Sequence, residues 1–489
     1  MRLSKLLEGI AVKKIVCETE WDREISEIVA DSRKRTDKGL FVCLSGGKID
    51  AHVFVGEAVA HGAVAIVTER ELQTKVPQIL VENTRVAFAL FSSAFYGNPS
   101  SGLKIVGITG TNGKTTTAHM LASILRQAGK SVGVIGTLGV EYGNEHLSTH
   151  LTTPDPDELQ SIFAEMRQKR VEYVVMEVSA HALYYQKLAG IRFTACIFTN
   201  LTQDHLDFFP TMQAYQEAKS QLFSSEICPV AILNGDDETG RVFGSFRSLE
   251  NAKTLYYGLL NPADAFAVIT DEGLGGTECM LNLNDKLCRA TLSMAGKHNV
   301  YNALAAALCA QELGVEMQTI ADGLTALSGV SGRLERIRNS HVYVDFAHTP
   351  DGLEKSLETL REHCKGRLLC LFGCGGNRDR TKRPLMGETA AKRADFSILT
   401  SDNPRYEDPL DILSEIEKGY RRYSVKYVVV PDRKKAIEYA LESLGKNDVL
   451  LVAGKGGERY QEIMGIKHPF NDNAIIEKWL EEKEWKPRG

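Results

Sequence analysis

The sequence predicts an α/β protein with three domains. These are a small N-terminal domain, a central domain with a P-loop-type parallel sheet and a small antiparallel subdomain, and a C-terminal Rossmann-like, doubly wound domain. Apolar strands alternate with helical segments in two long stretches of the chain, which is typical of parallel sheets covered on both faces. The chain has 489 residues, and because a single core stops growing near ~250–300 residues, several domains are expected.

The N-terminal domain is predicted over residues 1–98. The segments GLFVCLSG (39–46) and AVAIVTE (63–69) are apolar and predict strands, and HVFVGEAVAHGA (52–63) between them has helical spacing. Residues 96–102, YGNPSSG, combine glycine, proline and serine, which indicates a linker to the next domain.

The central domain is predicted over residues 99–335. It opens with a strand at 104–109, a glycine-rich turn at 110–113 and a helix from about residue 115 to 127. Strands are predicted further on by SVGVIG, YVVMEVS and ACIFTN. Between about residues 254 and 294, short alternating runs with Gly and Asn-Asp turns predict the antiparallel subdomain, and a helix follows from residue 299.

The C-terminal domain is predicted over residues 336–489, after a boundary at SGRLERI (331–337). The β/α alternation restarts there, with strands predicted by HVYVDF, RLLCLFG, FSILTS, KYVVVP and DVLLVAG. This pattern predicts the second doubly wound sheet.

Composition narrows the class of protein. The net charge is −5, so a global attraction to nucleic acid or to anionic lipid is not expected. The sequence has no run of about 18 apolar residues, so no membrane span is predicted. None of the ten cysteines forms a CxxC pair, which argues against a zinc site and a disulfide framework. A cytoplasmic enzyme is expected.

The glycine-rich turn GTNGKTT (110–116) predicts a site for a nucleoside triphosphate. Glycines let backbone N–H groups approach phosphates, and the helix N-terminus adds partial positive charge. Lys114 supplies a cation for the outer phosphates and Thr115 can coordinate Mg²⁺. The match to the P-loop motif is imperfect, because Ile108 stands where its first glycine is expected. The alternative is a tight turn between a strand and a helix without a ligand.

Three more polar residues follow predicted strands or lie on a predicted helix. Glu177 ends a buried strand, where a carboxylate at the carboxyl end of a parallel sheet faces the ligand crevice and can hold Mg²⁺; the alternative is a solvated glutamate. His205 follows the strand that Asn200 closes, and is either functional or structural. Lys219 lies in the helical segment AYQEAKSQLF, and composition alone predicts a solvated lysine.

A series of motifs carries a family resemblance over essentially the whole chain. In order they are GTNGKTT, TTP (152–154), EVS (177–179), Asn200, DHLD (204–207), Lys219, GKHN (296–299), GR (332–333) and DFAHTPD (345–351). The series resembles the Mur ligases, the ATP-dependent amino-acid-adding enzymes of peptidoglycan synthesis. Three later motifs resemble the members that add the third peptide residue, namely GCGGNRD (373–379) with KRP (382–384), DNPR (402–405) and GKGGE (454–458).

The resemblance implies an activity and its partners. It implies a cytoplasmic, monomeric ligase that uses ATP and Mg²⁺ and adds meso-diaminopimelate to UDP-MurNAc-L-Ala-D-Glu through an acyl phosphate, with no nucleic-acid or membrane partner. Addition of L-lysine by the same reaction is the first alternative. A nucleotide-dependent switch without ligase activity is an alternative of another class, and a binding or scaffold module is a third.

The resemblance also implies roles for individual residues. The catalytic residues are Lys114, Glu177, His205 and Lys219, and Lys219 is implied to be N-carboxylated. The Mg²⁺ ligands are Thr115, Glu177, His205 and carboxylated Lys219. The ATP-binding residues are Gly110, Thr111, Asn112, Gly113, Lys114, Thr115, Thr116, Asn299, Arg333 and Asp345. The residues for the uridine nucleotide and its sugar are Ser32, Gly47, Lys48, Ile49, Thr152, Thr153, Ser179, Tyr185 and Lys187.

The amino-acid site is implied at Arg378, Asp402, Asn403, Pro404, Arg405, Gly454 and Glu458. The DNPR motif accompanies diaminopimelate in the family, and Arg405 can hold the far-end carboxylate of that amino acid by two parallel charge-assisted hydrogen bonds. Arg378 and Glu458 would clamp the charges at that end. The chain departs from the usual family residues at Tyr185 and Lys187, where Gln and Arg are usual, and at Phe346 and Gly457, where Tyr and His are usual.

Overall fold

The computed structural model describes residues 1–18, 20–46 and 49–483. The predicted site residues Gly47 and Lys48 lie outside the described residues. The chain forms two compact units. The first comprises Met1–Gly107, Lys130–Cys196 and Gln221–Val230, and the second comprises Ile108–Gly129, Ile197–Ser220 and Ala231–Gly489. The boundaries of the three domains stay a prediction.

The N-terminal sheet lies in the first unit. Its elements are α1 (Leu3–Leu6), β1 (Lys14–Val16), β2 (Glu27–Val29), β3 (Gly39–Val42), α2 (Val55–Ala60), β4 (Ala63–Thr68), β5 (Gln78–Leu80) and α3 (Thr84–Phe95). The strand order is β1-β5-β4-β3-β2, parallel except for β1. The predicted helix at 52–63 is shorter than expected, because residues Ala51–Phe54 form a 3-10 turn capped by Asp50.

The remaining elements up to the C-terminal region follow in chain order. They are β6 (Lys104–Thr109), α4 (Lys114–Gln127), β7 (Val132–Gly136), β8 (Gly139–Tyr142), β9 (Glu145–Leu147), α5 (Pro156–Gln168), β10 (Tyr173–Glu177), α6 (Ala180–Tyr184), β11 (Ala195–Phe198), α7 (Met212–Ser220), β12 (Val230–Asn234), α8 (Glu238–Gly244), β13 (Lys253–Tyr257), β14 (Ala265–Gly273), β15 (Gly276–Leu283), β16 (Lys286–Leu292), α9 (Lys297–Glu312) and α10 (Met317–Ala326).

Each unit shows part of the central sheet. In the first unit the strand order is β11-β6-β10-β7-β8-β9, where β10 pairs parallel with β7 and the last strands form antiparallel hairpins. In the second unit the order is β16-β15-β14-β13-β12-β11-β6. There β14, β15 and β16 pair antiparallel, which confirms the predicted antiparallel subdomain.

The C-terminal region, in the second unit, contains the last sheet. Its elements are β17 (Glu335–Arg336), β18 (Val342–Asp345), α11 (Pro350–His363), β19 (Leu368–Phe372), α12 (Lys382–Arg393), β20 (Phe396–Leu399), α13 (Pro409–Glu417), β21 (Lys426–Val429), α14 (Arg433–Glu442), β22 (Val449–Ala453), β23 (Tyr460–Ile463), β24 (Ile466–Pro469) and α15 (Asp472–Glu482). The order is β17-β18-β22-β19-β20-β21. Strands β23 and β24 form a separate two-stranded sheet, and Ile463 of β23 also forms an isolated bridge with Arg405.

Helices cover both faces of this sheet, as the sequence predicts. Leu368, Cys370 and Phe372 of β19 pack in a core with Leu353 of α11 and residues of α12 and α13. Leu369 and Leu371 point to the other face and pack with residues of α14 and α15. Because both faces are buried, the strand is apolar at every position rather than at alternate ones. The predicted Rossmann-like sheet is therefore confirmed.

Among the described residues, no helix is both long enough and apolar enough to span a lipid bilayer.

Candidate active site

The turn between β6 and α4 has the geometry of a phosphate-binding loop. Gly110 and Gly113 adopt positive φ angles of 150° and 87°, and a Cβ added at Gly110 would lie 1.9 Å from Thr199 Oγ1. A side chain at either position would therefore be strained. Helix α4 begins directly after the turn at Lys114, so its free N–H groups and partial positive charge face the loop.

Asn200, at the end of β11, holds the loop in shape. Its Oδ1 accepts a hydrogen bond from Asn112 N (2.9 Å), and its Nδ2 donates to Asn112 O (3.1 Å). Thr111 N donates to the carbonyl oxygen of Asn200 at 2.8 Å. The asparagine side chain thus binds both the backbone N–H and the backbone carbonyl oxygen of one loop residue, Asn112.

Lys114 and Lys219 converge on the same carbonyl group. Lys114 Nζ donates to the carbonyl oxygens of Gly110 and Thr111, each at 2.9 Å. Lys219 Nζ also donates to Gly110 O at 2.9 Å and lies 4.4 Å from the centre of the Tyr215 ring. Lys219 is only 1% exposed, so the solvated lysine that composition predicts is wrong.

Burial changes the acid–base state of Lys219. Loss of hydration, followed by the nearby charge of Lys114, lowers the pKa of the Lys219 ammonium well below its usual value. The side chain is therefore far more readily available as a neutral amine than a surface lysine is. A neutral amine is the form that can act as a nucleophile.

Asp204 is a buried carboxylate that lies close to a lysine and two histidines. It lies 3.0 Å from Lys382 Nζ and 3.4 Å from the Nε2 atoms of His205 and His348. These groups, with Lys382 foremost among the charges, outweigh burial and hold the pKa of Asp204 well below its usual value. Asp204 therefore stays ionised, and it lies beside the ring of His205, a predicted metal ligand, and beside His348 and Lys382 of the C-terminal region.

The motif at 345–351 also reaches the phosphate loop within the second unit. Asn112 Nδ2 donates to Asp351 Oδ2 at 2.8 Å. Arg333 Nη2 donates to Thr115 Oγ1 at 2.7 Å, and its guanidinium lies 4.6 Å from the centre of the Phe346 ring. Phenylalanine at this position thus supports Arg333 through a cation–π contact.

Asp345 and Asn299, both implied to bind ATP, form hydrogen bonds within the protein. Asp345 accepts a hydrogen bond from the backbone N–H of Leu334, and burial raises the pKa of its carboxyl to about 6. Asn299 is buried and donates to Ala295 O at 2.8 Å, while its Oδ1 accepts from Asn302 Nδ2 at 3.2 Å. Asn302 in turn is the residue that a Cβ at Gly113 would strike, at 2.4 Å.

The predicted amino-acid site forms one polar network. Lys455 Nζ donates to Asn403 Oδ1 (3.0 Å) and to Glu458 Oε2 (2.8 Å), and Asn403 Nδ2 donates to the same glutamate oxygen at 2.9 Å. Arg405 Nε contacts Glu462 at 3.0 Å, and its Nη1 donates to Gly376 O at 2.9 Å. The motifs at 373–379, 402–405 and 454–458 therefore meet here.

The other predicted residues of this site lie around that network. Asp402 is buried and accepts from Asn403 N at 2.6 Å, and a Cβ added at Gly454 would lie 2.6 Å from Asp402 Oδ2. Pro404 is buried and Arg378 is exposed.

In the first unit, Glu177 is 2% exposed, so the alternative of a solvated glutamate is wrong. Its carboxylate accepts from Thr137 N (2.9 Å) and Thr137 Oγ1 (3.1 Å). A Cβ at Gly136 would lie 2.2 Å from Glu177 Oε1. The carboxylate is thus held in a fixed orientation by the turn after β7.

The residues implied for the sugar nucleotide also lie in the first unit. Thr153 Oγ1 donates to Glu177 O at 2.9 Å and accepts from Ser179 N at 3.0 Å, and Thr152 Oγ1 lies 3.2 Å from Thr137 Oγ1. Lys187 pairs with Asp155 at 2.7 Å.

The remaining nucleotide-binding candidates lie near the N-terminal sheet. The guanidinium of Arg85 lies 4.2 Å from the centre of the Tyr185 ring. Ser32 Oγ donates to Glu57 at 2.5 Å, and Ile49 is exposed. The ring of Tyr185 thus makes a cation–π contact with Arg85. The glutamine that is usual at position 185 has no aromatic ring and could not make this contact.

Sequence reasoning missed several residues that shape these groups. They are Thr137, Asn302 and Glu462, whereas Asp204 and Arg383 are part of the predicted DHLD and KRP motifs but have no role assigned there. Arg383 is fully buried and pairs with Glu407 and Glu415, each at 2.9 Å. In the sequence, the only signal for Arg383 is its place in the KRP motif. Its burial and its ion pairs could not be predicted, because residue spacing does not show contacts between distant segments.

The chain is similar to known proteins along its whole length. Residues 108–310 match the model of the Mur ligase middle domain, and residues 332–456 match that of the Mur ligase, glutamate ligase domain. A protein of Caldanaerobacter subterraneus subsp. tengcongensis, named UDP-N-acetylmuramoyl-L-alanyl-D-glutamate--2,6-diaminopimelate ligase, is 41% identical over 489 residues, which is 99% of this chain and 100% of that protein.

Two further similarities extend this finding. A protein of Clostridium acetobutylicum, named UDP-N-acetylmuramoyl-L-alanyl-D-glutamate--2,6-diaminopimelate ligase 1, is 42% identical over 99% of this chain and 100% of its own length. A solved structure titled as the 2,6-diaminopimelate ligase matches with a TM-score of 0.69 at 31% identity, over 99% of this chain and 100% of that chain.

Proposed function

This chain belongs to the Mur ligase family, and from that premise we propose that it is an ATP-dependent ligase that joins meso-diaminopimelate to UDP-MurNAc-L-Ala-D-Glu. Because the reaction consumes ATP and a nucleotide-linked precursor, we also propose a cytoplasmic location. The observation that carries the choice of amino acid is the network around Arg405, Asn403 and Glu458.

The phosphate loop supplies the first step. A carboxylate of the peptide substrate attacks the γ-phosphorus of ATP and forms an acyl phosphate with release of ADP. Phosphoryl transfer depends on alignment and charge neutralisation more than on proton transfer. Lys114 and the N-terminus of α4 provide fixed positive charge at the loop. The glycine cradle and these donors fit a triphosphate.

Lys219 is proposed to act as a carbamate. Its lowered pKa favours the neutral amine, and the nitrogen lone pair can add to CO₂ with loss of one proton to give an N-carboxylate. This converts a buried amine into an anionic oxygen ligand. Mg²⁺, when bound, neutralises charge on the phosphates and prefers such oxygen ligands. Thr115 and His205, which lie in the same unit as Lys219, offer further proposed ligand atoms.

The pocket at Arg405 supports diaminopimelate as the incoming amino acid. The free amine of that amino acid displaces phosphate from the acyl phosphate and forms the amide. Its other end carries a carboxylate and an ammonium group. Arg405 can pair with the carboxylate, and Glu458 with the ammonium. L-lysine lacks the far-end carboxylate, so it would leave the arginine without its substrate partner, a loss that can discriminate by about 10⁴.

The test is phosphate release by the purified chain with ATP, Mg²⁺ and UDP-MurNAc-L-Ala-D-Glu, with each amino acid supplied separately. Release that depends on diaminopimelate, with a product heavier by one diaminopimelate residue in mass spectrometry, is the expected result. A preference for L-lysine would assign the lysine-adding reaction instead. ATP hydrolysis that is indifferent to the amino acid would point to a switch without ligase activity.

A further inference from the structure

Strand β23 and the residue that follows it form backbone hydrogen bonds with the arginine of the DNPR motif. Arg405 N donates to the carbonyl oxygen of Glu462 at 3.1 Å, and Met464 N donates to Arg405 O at 2.7 Å. Glu462 N donates to Asn403 Oδ1 at 2.9 Å. These bonds set the backbone of Arg405, which has a positive φ angle of 52°, an uncommon conformation for a residue with a side chain.

The same strand also holds the arginine side chain. Glu462 Oε2 accepts from Arg405 Nε at 3.0 Å, while Gly376 O accepts from Nη1 at 2.9 Å. The side chains are 17% and 22% exposed, so the pair lies in a partly desolvated pocket. The plane of the guanidinium is thus fixed at two points that lie on different segments of the chain.

We propose that Glu462 is a positioning residue that determines amino-acid specificity by presenting Arg405 to the substrate. An arginine has five N–H donors, and only two outward edges can bind a carboxylate in parallel. Because Glu462 occupies Nε, the far-end carboxylate of the amino acid must bind at the Nη edge. This inference rests on the proposed function, since it concerns the far-end carboxylate of diaminopimelate.

Glu462 acts here through hydrogen-bond geometry rather than through its charge. Glu458 lies in the same pocket, where it contacts Lys455 and Asn403. It is the carboxylate that we propose to bind the ammonium group of the amino acid. Glu462 points to the arginine instead. A glutamine at position 462 can still accept from Nε through its amide oxygen, whereas an alanine cannot.

The experiment compares Glu462→Ala and Glu462→Gln with the wild-type chain. We expect Glu462→Ala to raise the KM for diaminopimelate about tenfold or more, because a hydrogen bond to a charged group is lost and Arg405 becomes mobile. The KM for ATP and the activity with L-lysine should stay near wild type. Glu462→Gln should restore the KM to within about threefold of wild type, since a neutral acceptor is weaker than a charged one.

A matched control and a double variant separate positioning from general damage. Glu278→Ala removes another strand-borne carboxylate that pairs with an arginine, on the antiparallel subdomain, and should leave both KM values unchanged. In an Arg405→Ala background, Glu462→Ala should have no further effect on diaminopimelate, because the group it positions is gone.

Failure of this inference differs from failure of the proposed function. If wild type prefers diaminopimelate but Glu462→Ala keeps the wild-type KM, or if Glu462→Gln is as impaired as Glu462→Ala, positioning through geometry is overturned while the ligase assignment stands. Additive effects of the two substitutions would overturn it as well. If wild type itself shows no preference for diaminopimelate, the proposed function fails, and this inference is overturned with it.

Discussion

The phosphate loop and the amino-acid pocket provide different partners for their basic side chains. At the loop, Lys114 and Lys219 both donate to the carbonyl oxygen of Gly110. In the pocket, Lys455 pairs with Glu458 and Arg405 with Glu462. The loop is therefore organised for a ligand that brings much negative charge, and the pocket for one that brings both signs. Substitutions of the basic residues in the loop should therefore lower the reaction rate, whereas substitution of Arg405 in the pocket should impair the use of the amino acid.

The largest effect is expected from Lys114→Ala. The substitution removes charge stabilisation of the transferred phosphoryl group and costs little packing, so ATP turnover should fall by about 10³ or more while the fold persists. Steady-state phosphate release and circular dichroism measure the two quantities. A variant with an unchanged spectrum and a near-normal rate would show that this loop does not bind the triphosphate as proposed.

Lys219→Ala should lower the rate by about two to three decades. Added acetate or formate should restore part of it, because a free carboxylate can replace the carbamate as an oxygen ligand for Mg²⁺. The measurement is the rate as a function of carboxylate concentration, with Lys467→Ala, an exposed lysine of β24, as the control. Full activity without additive would rule out the carbamate.

Arg405→Ala should act on one substrate only. Removing one partner of a buried, hydrogen-bonded charge pair costs about 3–5 kcal/mol, so kcat/KM for diaminopimelate should fall by about 100-fold or more, while the KM for ATP changes little. The small rate with L-lysine should change much less, because lysine has no far-end carboxylate. An equal loss with both amino acids would contradict this assignment.

The smallest expected effect concerns pH and Asp345. Burial raises the pKa of its carboxyl to about 6, above its value in the unfolded chain. The neutral form therefore favours folding below about pH 4, and this contribution is lost as the pH rises through about 6. The loss amounts to up to about 3 kcal/mol. Urea unfolding of wild type and Asp345→Asn between pH 4 and 7 measures it. Parallel pH dependences in the two proteins would show that Asp345 does not titrate in this way.

Much of the fold follows from the sequence because its signals are local. Strand β6, the glycine turn and α4 are predicted from adjacent residues, and the structure places them within a residue of the expected bounds. The alternating pattern between about residues 254 and 294 predicts the antiparallel strands β14, β15 and β16 correctly for the same reason. A pattern of this kind reports which side of one element is buried, and it needs no knowledge of the partner.

The candidate site is predicted less completely. Lys219 has the local pattern of a solvated helical residue, yet it is buried against Gly110, a residue 109 positions away in the chain. Glu462 has no motif of its own and becomes meaningful only because β23 hydrogen-bonds to Arg405. In both cases the chemistry depends on a partner that sequence spacing does not specify.

The sequence by itself determines the identity and order of the chemical groups, namely the glycine loop with its lysine, the strand-end carboxylate and the DNPR arginine. The tertiary structure alone decides their states. Burial lowers the pKa of Lys219, Asp204 gathers two imidazoles and an ammonium, and Glu462 orients a guanidinium. The physical reason is that residue type fixes which bonds a side chain can make, whereas desolvation and distance, which set the strength of those bonds, arise only when remote segments pack together.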